Sequence, residues 1–213
     1  MKRKNIIFFG DSITDMGRTK LLRDYEPWSN GIGYPQFISG YLDYNYPNQY
    51  RVINKGISGN RSIDLMERIE TDVWSIKPDY LVILIGANDV WHGISCNNGV
   101  DIKTFENVYS EMIEETKKRI KEVNIILMEP FILEGIETEE RYDDFLKIRD
   151  YAKVVKRISE KYNLTFIPLQ DKFDEESNKN GVENYLYDGV HPAAAGAYLI
   201  AQEFIKTFIN IKK

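Results

Sequence analysis

Five short apolar runs punctuate the chain: Asn5 to Phe9, Arg51 to Asn54, Tyr80 to Ile85, Asn124 to Met128 and Thr165 to Leu169. They are continuous rather than alternating, the pattern of parallel strands covered on both faces. Segments with helical spacing lie between them. Tyr34, Phe37, Ile38, Tyr41 and Leu42 fall at i, i+3, i+4, i+7 and i+8, as do Phe105, Val108, Tyr109, Met112 and Ile113. A longer stripe runs through Phe145, Ile148, Ala152, Val155 and Ile158, and a last one through Ala197, Ala201, Phe204, Ile205 and Phe208. Strand followed by helix, five times over, predicts a doubly wound α/β sandwich. The charged stretch from Glu137 to Lys161 is expected to be the solvated face of one helix. With no internal repeat, linker or second domain visible, residues 1–213 are read as one domain.

Composition narrows the class. The 213 residues are 43% hydrophobic and 29% charged, with 14 Gly and 7 Pro, which excludes disordered and collagen-like chains. A net charge of -5 has the wrong sign for binding nucleic acid or an anionic membrane through bulk electrostatics. Cys96 is the only cysteine, so no internal disulfide forms, and it is expected to be a small, semi-buried side chain. The basic start Met1-Lys2-Arg3-Lys4 precedes an apolar run, Ile6 to Phe9, too short for a secretory signal. No run approaches the ~18 apolar residues of a membrane span. The expectation is a soluble, cytoplasmic protein, with a homo-oligomer left open. The triplets at Asn60 and Asn163 match glycosylation sequons and are discounted on the same ground.

In an open parallel sheet, ligands bind beyond the carboxyl ends of the strands. After the first strand comes Gly10-Asp11-Ser12, after the second Gly56-Ile57-Ser58-Gly59-Asn60, and after the third Gly86-Ala87-Asn88-Asp89. Asp188-Gly189-Val190-His191-Pro192 follows the fifth and precedes the last helix. Each segment alone has an ordinary reading: Ser12 or Asp15 as a helix cap, Asn88-Asp89 as a turn, Pro192 as a first helical residue. Together, on one sheet edge, they supply the parts of acyl transfer by a serine. Ser12 is the candidate nucleophile, His191 the base, and Asp188, three residues earlier, the acid that orients it. The N–H groups of Ser12 and Gly59 and the amide of Asn88 are the candidate oxyanion hole, Gly59 because a missing Cβ lets backbone approach substrate. His92, the one other histidine, lacks an acid at an orienting spacing and is read as surface or substrate-lining.

These four segments resemble the blocks of the SGNH hydrolase superfamily, the GDSL esterases and lipases, on Ser12, Gly59, Asn88 and His191, with Asp188 completing the triad. The resemblance spans nearly the whole chain and implies a flavodoxin-like, three-layer α/β/α sandwich around a five-stranded parallel sheet. Within the superfamily, the stretch Arg51 to Asn60, Lys77-Pro78-Asp79, and Gly86 to Trp91 look most like bacterial acetylxylan esterases. That resemblance implies an acetylated saccharide as substrate, with no cofactor. Trp28, Tyr34, Trp91 and Tyr187 lie near the motifs and are candidate stacking faces for a sugar, Trp91 and Tyr187 foremost.

Other readings stay open: a lysophospholipase, thioesterase or general short-chain esterase on the same scaffold, or a flavodoxin-like binding module. Against the module, neither a Walker sequence nor G-x-G-x-x-G is present. The absence of G-x-S-x-G disfavours an α/β-hydrolase. Asp11, Asp15, Asp89 and Asp188 with a single nearby histidine make a poor metal ligand set and a poor glycosidase pair, so no metal is expected.

Overall fold

The computed structural model describes residues 2–19 and 28–211; Met1 of the basic start lies outside them. Five parallel strands, β1 (Lys4–Gly10), β2 (Tyr50–Gly56), β3 (Tyr80–Leu84), β4 (Asn124–Met128) and β5 (Thr165–Ile167), form one sheet in the order β2-β1-β3-β4-β5. The helices are α1 (Ser12–Asp15), α2 (Tyr34–Asn45), α3 (Ser62–Ile69), α4 (Ala87–Cys96), α5 (Ile102–Arg119), α6 (Tyr142–Phe145), α7 (Ile148–Lys161), α8 (Gln170–Asn180) and α9 (Ala194–Ile211). A π-helical turn, Glu70–Trp74, continues α3. Among the described residues no helix is long and apolar enough to cross a membrane.

The three-layer expectation holds because the central strands are covered twice. Every residue of β3, and β1 from Ile6 onward, is buried, whereas the edge strands β2 and β5 are only partly so. Successive side chains of β1 serve opposite layers, as the pleat requires. Phe8 meets the rings of Tyr34 on α2 and Phe204 on α9 edge-on at 5.4 and 5.2 Å. Phe9 faces the other layer, where Arg68 of α3 lies 4.4 Å over its ring.

The differences from the sequence pattern have local causes. The last apolar run stops being a strand at Ile167, because Pro168 lacks the N–H a ladder needs, and Leu169 instead caps α8. The stripe from Phe145 to Ile158 is broken into α6 and α7. Part of the charged stretch at its start is not a solvated helix face at all: Thr138 is fully buried and Glu139–Arg141 form a 3-10 turn. Tyr34 is core rather than a stacking platform, fully buried with its hydroxyl 2.8 Å from Thr14 Oγ1. Trp28 is 66% exposed and is not among the residues that line the cleft described below. Cys96 is exposed at the end of α4, not semi-buried. Pro192 is not helical; it pairs with Leu186 in an antiparallel bridge two residues before α9.

The sequence order runs from β1 outward to β2 and then back across to β3, so β1 and β3 are neighbours at a topological switch point. Gly10 pairs with Leu84 in register, which brings the segments after β1 and β3 side by side. Because Phe8 anchors this centre, Phe8→Ala is expected to destabilise the fold by ~3 to 5 kcal/mol, read from the midpoint of urea denaturation with the slope unchanged.

Candidate active site

The turn after β1 places Ser12. Asp11, not Ser12 or Asp15, is the cap of α1: its carboxylate accepts from the Ile13 N–H at 2.9 Å, leaving Ser12 as the first helical residue. Asn54 of β2 fixes the same turn from below, donating from Nδ2 to the carbonyls of Thr14 (2.6 Å) and Asn30 (3.0 Å) while Oδ1 accepts from Gly56 N–H. The serine hydroxyl then stands 2.8 Å from His191 Nε2, and His191 Nδ1 stands 2.6 Å from Asp188 Oδ2. A carboxylate only accepts, so Nδ1 carries the proton and Nε2 is left to accept from Ser12.

The loop that carries Asp188 and His191 is tied to itself and to its neighbours. Asp188 Oδ1 accepts from the N–H groups of Val190 (2.9 Å) and His191 (2.7 Å). Gly189 turns with φ +98°, and a Cβ there would sit 2.6 Å from Thr138 Oγ1. The segment after β4 closes over this loop: Leu133 N–H donates to Gly189 O and Glu137 N–H to Asp188 O, with buried Thr138 donating to Leu133 O.

Opposite, Gly59 adopts φ +83°, a conformation that glycine takes without strain, and nothing lies within 4 Å of where a Cβ would be. The positive φ thus explains the glycine, and the cleft stays open in front of its N–H. Neither that N–H nor the N–H of Ser12 has a protein acceptor among the described residues. Asn88 is in the first turn of α4, not a free turn, and its Nδ2 spends one hydrogen on Asn60 O at 3.1 Å, leaving the other for the cleft. Asp89 beside it faces away, accepting from the N–H and hydroxyl of buried Ser62. Ser62 is the last residue of the sequon at Asn60, so that triplet has a structural reason.

A cleft of 460 Å³ is lined by Ser12, Met16, Ser58, Gly59, Asn88, Trp91, His92, Ser95, Tyr187 and His191. The residues proposed from the sequence for the triad and the oxyanion hole are therefore here except Asp188, which sits behind His191, and of the four candidate aromatics Trp91 and Tyr187 line the cleft while Trp28 and Tyr34 do not. Tyr187 stacks on the His191 ring at 5.9 Å, and Trp91 tilts against it at 5.8 Å. Phe145, brought in by the break between α6 and α7, holds Trp91 edge-on. Met16 and Ser95 lie in no motif, and Ser58 sits within residues 56–60 without a role the sequence assigned. Trp91 and His92 ride on α4 rather than a loop.

The charges fit a base. Burial alone would pull the His191 imidazole down, but the Asp188 hydrogen bond and charge, helped by Asp11 and Glu137, hold it above its ordinary value. Burial would likewise raise Asp188, yet the bonds from His191 and Val190 keep it below the usual carboxylate range. Asp11 and Asp89 lack such partners in full and are pushed by burial up to about 7 and about 6. The four aspartates considered as metal ligands are thus dispersed, Asp11 on the α1 cap, Asp15 on Ser58, Asp89 on Ser62 and Asp188 on His191. Among the described residues no group of His, Cys, Asp or Glu gathers as a metal site.

A doubly wound sheet with a serine, histidine and aspartate in line at its switch point has the architecture of a serine acylhydrolase. Residues 8–199 match the GDSL-like Lipase/Acylhydrolase family, and the chain belongs to that family. As a member it is a carboxylic ester hydrolase. It is 37% identical over 209 residues to an acetylxylan esterase of Geobacillus stearothermophilus, covering 95% of this chain and 93% of that one. The crystal structure of that organism's acetylxylan esterase Axe2 superposes with a TM-score of 0.84 at 36% identity, over 97% of this chain and 96% of the other. A candidate GDSL-like lipase from Parabacteroides merdae superposes with a TM-score of 0.90 at 34% identity, over 97% and 95%. Solved catalytic mutants of Axe2 replace one serine, one aspartate and one histidine, the last two separated by three positions as Asp188 and His191 are.

His191 is expected to titrate above 6.5, followed by the NMR shift of its ring protons, and Asp188→Asn should lower that pKa. A wild-type value at or below 6.5 would mean that burial, not Asp188, governs the ring.

Proposed function

We propose that this protein removes acetyl groups from carbohydrate hydroxyls, acetylated xylo-oligosaccharides foremost, through an acyl-enzyme on Ser12. The in-line contact of Asp188, His191 and Ser12 carries the proposal. The open cleft walled by Trp91 and Tyr187 and the likeness to an acetylxylan esterase support its substrate half.

In this reading His191 Nε2 takes the hydroxyl proton as Ser12 Oγ bonds to the acetyl carbonyl carbon. The carbonyl oxygen becomes an oxyanion received by the N–H groups of Ser12 and Gly59 and the free amide hydrogen of Asn88. When the tetrahedral intermediate collapses, the ester C–O bond breaks and His191 returns the proton to the departing sugar oxygen. Water activated by His191 then attacks the acetyl-serine, and acetate leaves with Ser12 restored. Asp188 stays ionised throughout and stabilises the imidazolium.

Two measurements test the chemistry and one the substrate. Ser12→Ala should fold, judged by circular dichroism, and should lose labelling by a fluorophosphonate; retained labelling would place the nucleophile elsewhere. Asn88→Ala should lower kcat by roughly 10² to 10³ with a smaller change in KM, because the donor acts mainly in the transition state. Acetylated xylo-oligosaccharide and 4-nitrophenyl acetate, butyrate and octanoate are then compared by kcat/KM, with the acetylated sugar turned over and octanoate poor. Each extra methylene is worth about 1 to 3 kcal/mol of discrimination in a tight pocket, so the fall with chain length is graded at first. Octanoate at or above acetate, with no turnover of the sugar, would favour a lysophospholipase or thioesterase instead.

A further inference from the structure

One helix supplies four of the ten residues that line the cleft. Asn88, Trp91, His92 and Ser95 stand at i, i+3, i+4 and i+7 on α4, and all four line it. That spacing puts them on one helix face, so the cleft is a groove running outward from the acyl site. Asn88 to Ser95 spans about 10 Å at ~1.5 Å per residue.

Polar groups along this groove are almost all committed. Asn88 holds Asn60 O, the Ser58 hydroxyl holds Asp15, the Ser95 hydroxyl holds Trp91 O, and Ser12 and His191 hold each other. Besides the second amide hydrogen of Asn88, the exceptions are the exposed hydroxyl of Tyr187 and, on the α4 face, His92. It is half-buried, lines the groove, and neither of its ring nitrogens has a hydrogen-bond partner among the described residues. Burial and the nearby Arg61 charge keep it below its ordinary pKa, hence neutral near pH 7, with one N–H to donate and one lone pair to accept.

The half of the ester it meets follows from the chemistry at His191. The leaving oxygen must reach Nε2 to be protonated, and the rings of Tyr187 and Trp91 pack against the imidazole. His92 follows Trp91 on the same groove face, beyond the oxyanion site.

We propose that His92 is a specificity residue for the alcohol half of the ester, its two ring nitrogens hydrogen-bonding hydroxyls next to the acylated oxygen and so selecting polyhydroxylated alcohols. An alkyl or aryl leaving group without hydroxyls pairs with neither nitrogen and so gains nothing from His92. The inference rests on the carbohydrate reading above and adds the residue that enforces it.

The test compares wild type, His92→Ala and His92→Gln on acetylated xylo-oligosaccharide and on 4-nitrophenyl acetate. Glutamine keeps one donor and one acceptor at that position. His92→Ala should lose about five- to tenfold more kcat/KM on the sugar than on the aryl ester, the size of one hydrogen bond, with the extra loss in KM. His92→Gln should recover part of that difference. Equal losses on both substrates, or a sugar deficit that glutamine does not reduce, overturn the assignment. Wild-type turnover of the sugar with His92→Ala unaffected removes His92 alone. Turnover of the aryl ester with no turnover of the sugar by wild type removes the carbohydrate reading and this inference together.

Discussion

The guanidinium of Arg68 fixes the distance between the two halves of the site. Its Nε donates to Asn60 Oδ1 (2.7 Å), Nη1 to Lys55 O (2.9 Å) and Asp72 Oδ2 (2.6 Å), and Nη2 to Gly10 O (3.0 Å), while its face lies on Phe9. Gly10 closes the strand that leads into Ser12, Lys55 is the penultimate residue of β2, and Asn60 follows Gly59. One planar group thus ties the strand that leads into Ser12 to the loop that carries Gly59. A lysine offers a single charged point on a flexible stem, not a fork with donors at fixed angles. The half-buried charge is tolerable because Asp72, placed by the π-helical turn, meets both Arg68 and Lys55.

A second tie runs through the helix that follows β3. Asp89 holds the backbone and hydroxyl of Ser62 while its neighbour Asn88 holds Asn60 O, so the chain that follows Gly59 is held at two points. Donors fixed in this way need no reorganisation when charge develops on a substrate oxygen, which is where such donors are most effective. The histidine loop is held by a different device, the Leu133–Thr138 segment. Its ionisation has a consequence for folding. A raised imidazole pKa contributes stability in full below 6.5, and this is lost as pH rises through the folded value; the depressed Asp188 contributes above 3.8, and this is lost on acidification. The pair therefore stabilises the fold most where His191 is protonated, and gives up part of that stability to become a base.

What could be read in the sequence was short-range. Asp188 and His191 are three residues apart, so their contact is set by one loop, and each buried parallel strand announces itself as an apolar run. The supporting groups act across the chain and leave no such mark. Arg68 looks like one more charge on a polar helix until Gly10, 58 residues away, is seen to accept from it. Thr138 and Phe145 sit in a stretch whose charges promised a solvated helix, yet one braces the histidine loop and the other supports Trp91. Tyr34 failed in the opposite sense: proximity to the motifs suggested a ligand surface, but an aromatic opening α2 packs inward against Phe8. Spacing along a chain tells which face a residue occupies, and only the neighbouring element tells whether that face meets solvent, core or cleft.

The switch point explains why so little of the chain suffices for the chemistry. Because β1 and β3 are hydrogen-bonded neighbours with Gly10 and Leu84 in register, the serine turn and the start of α4 emerge side by side. The serine needs only the short α1, whereas α4 continues for ten residues and carries the groove outward from the oxyanion site. Positions in its first turn are locked by Ser62 and Asn60. Those one and two turns further on, Trp91, His92 and Ser95, line the cleft, with Phe145 edge-on to Trp91 and Arg141 bracing Ile94 O. The proposed oxyanion donor Asn88 and the proposed alcohol contact His92 therefore sit on one helix but at separate turns of it. Side chains at the outer turns can change without moving the donors at the inner one, which is how a single scaffold serves esters of different alcohols with the same serine.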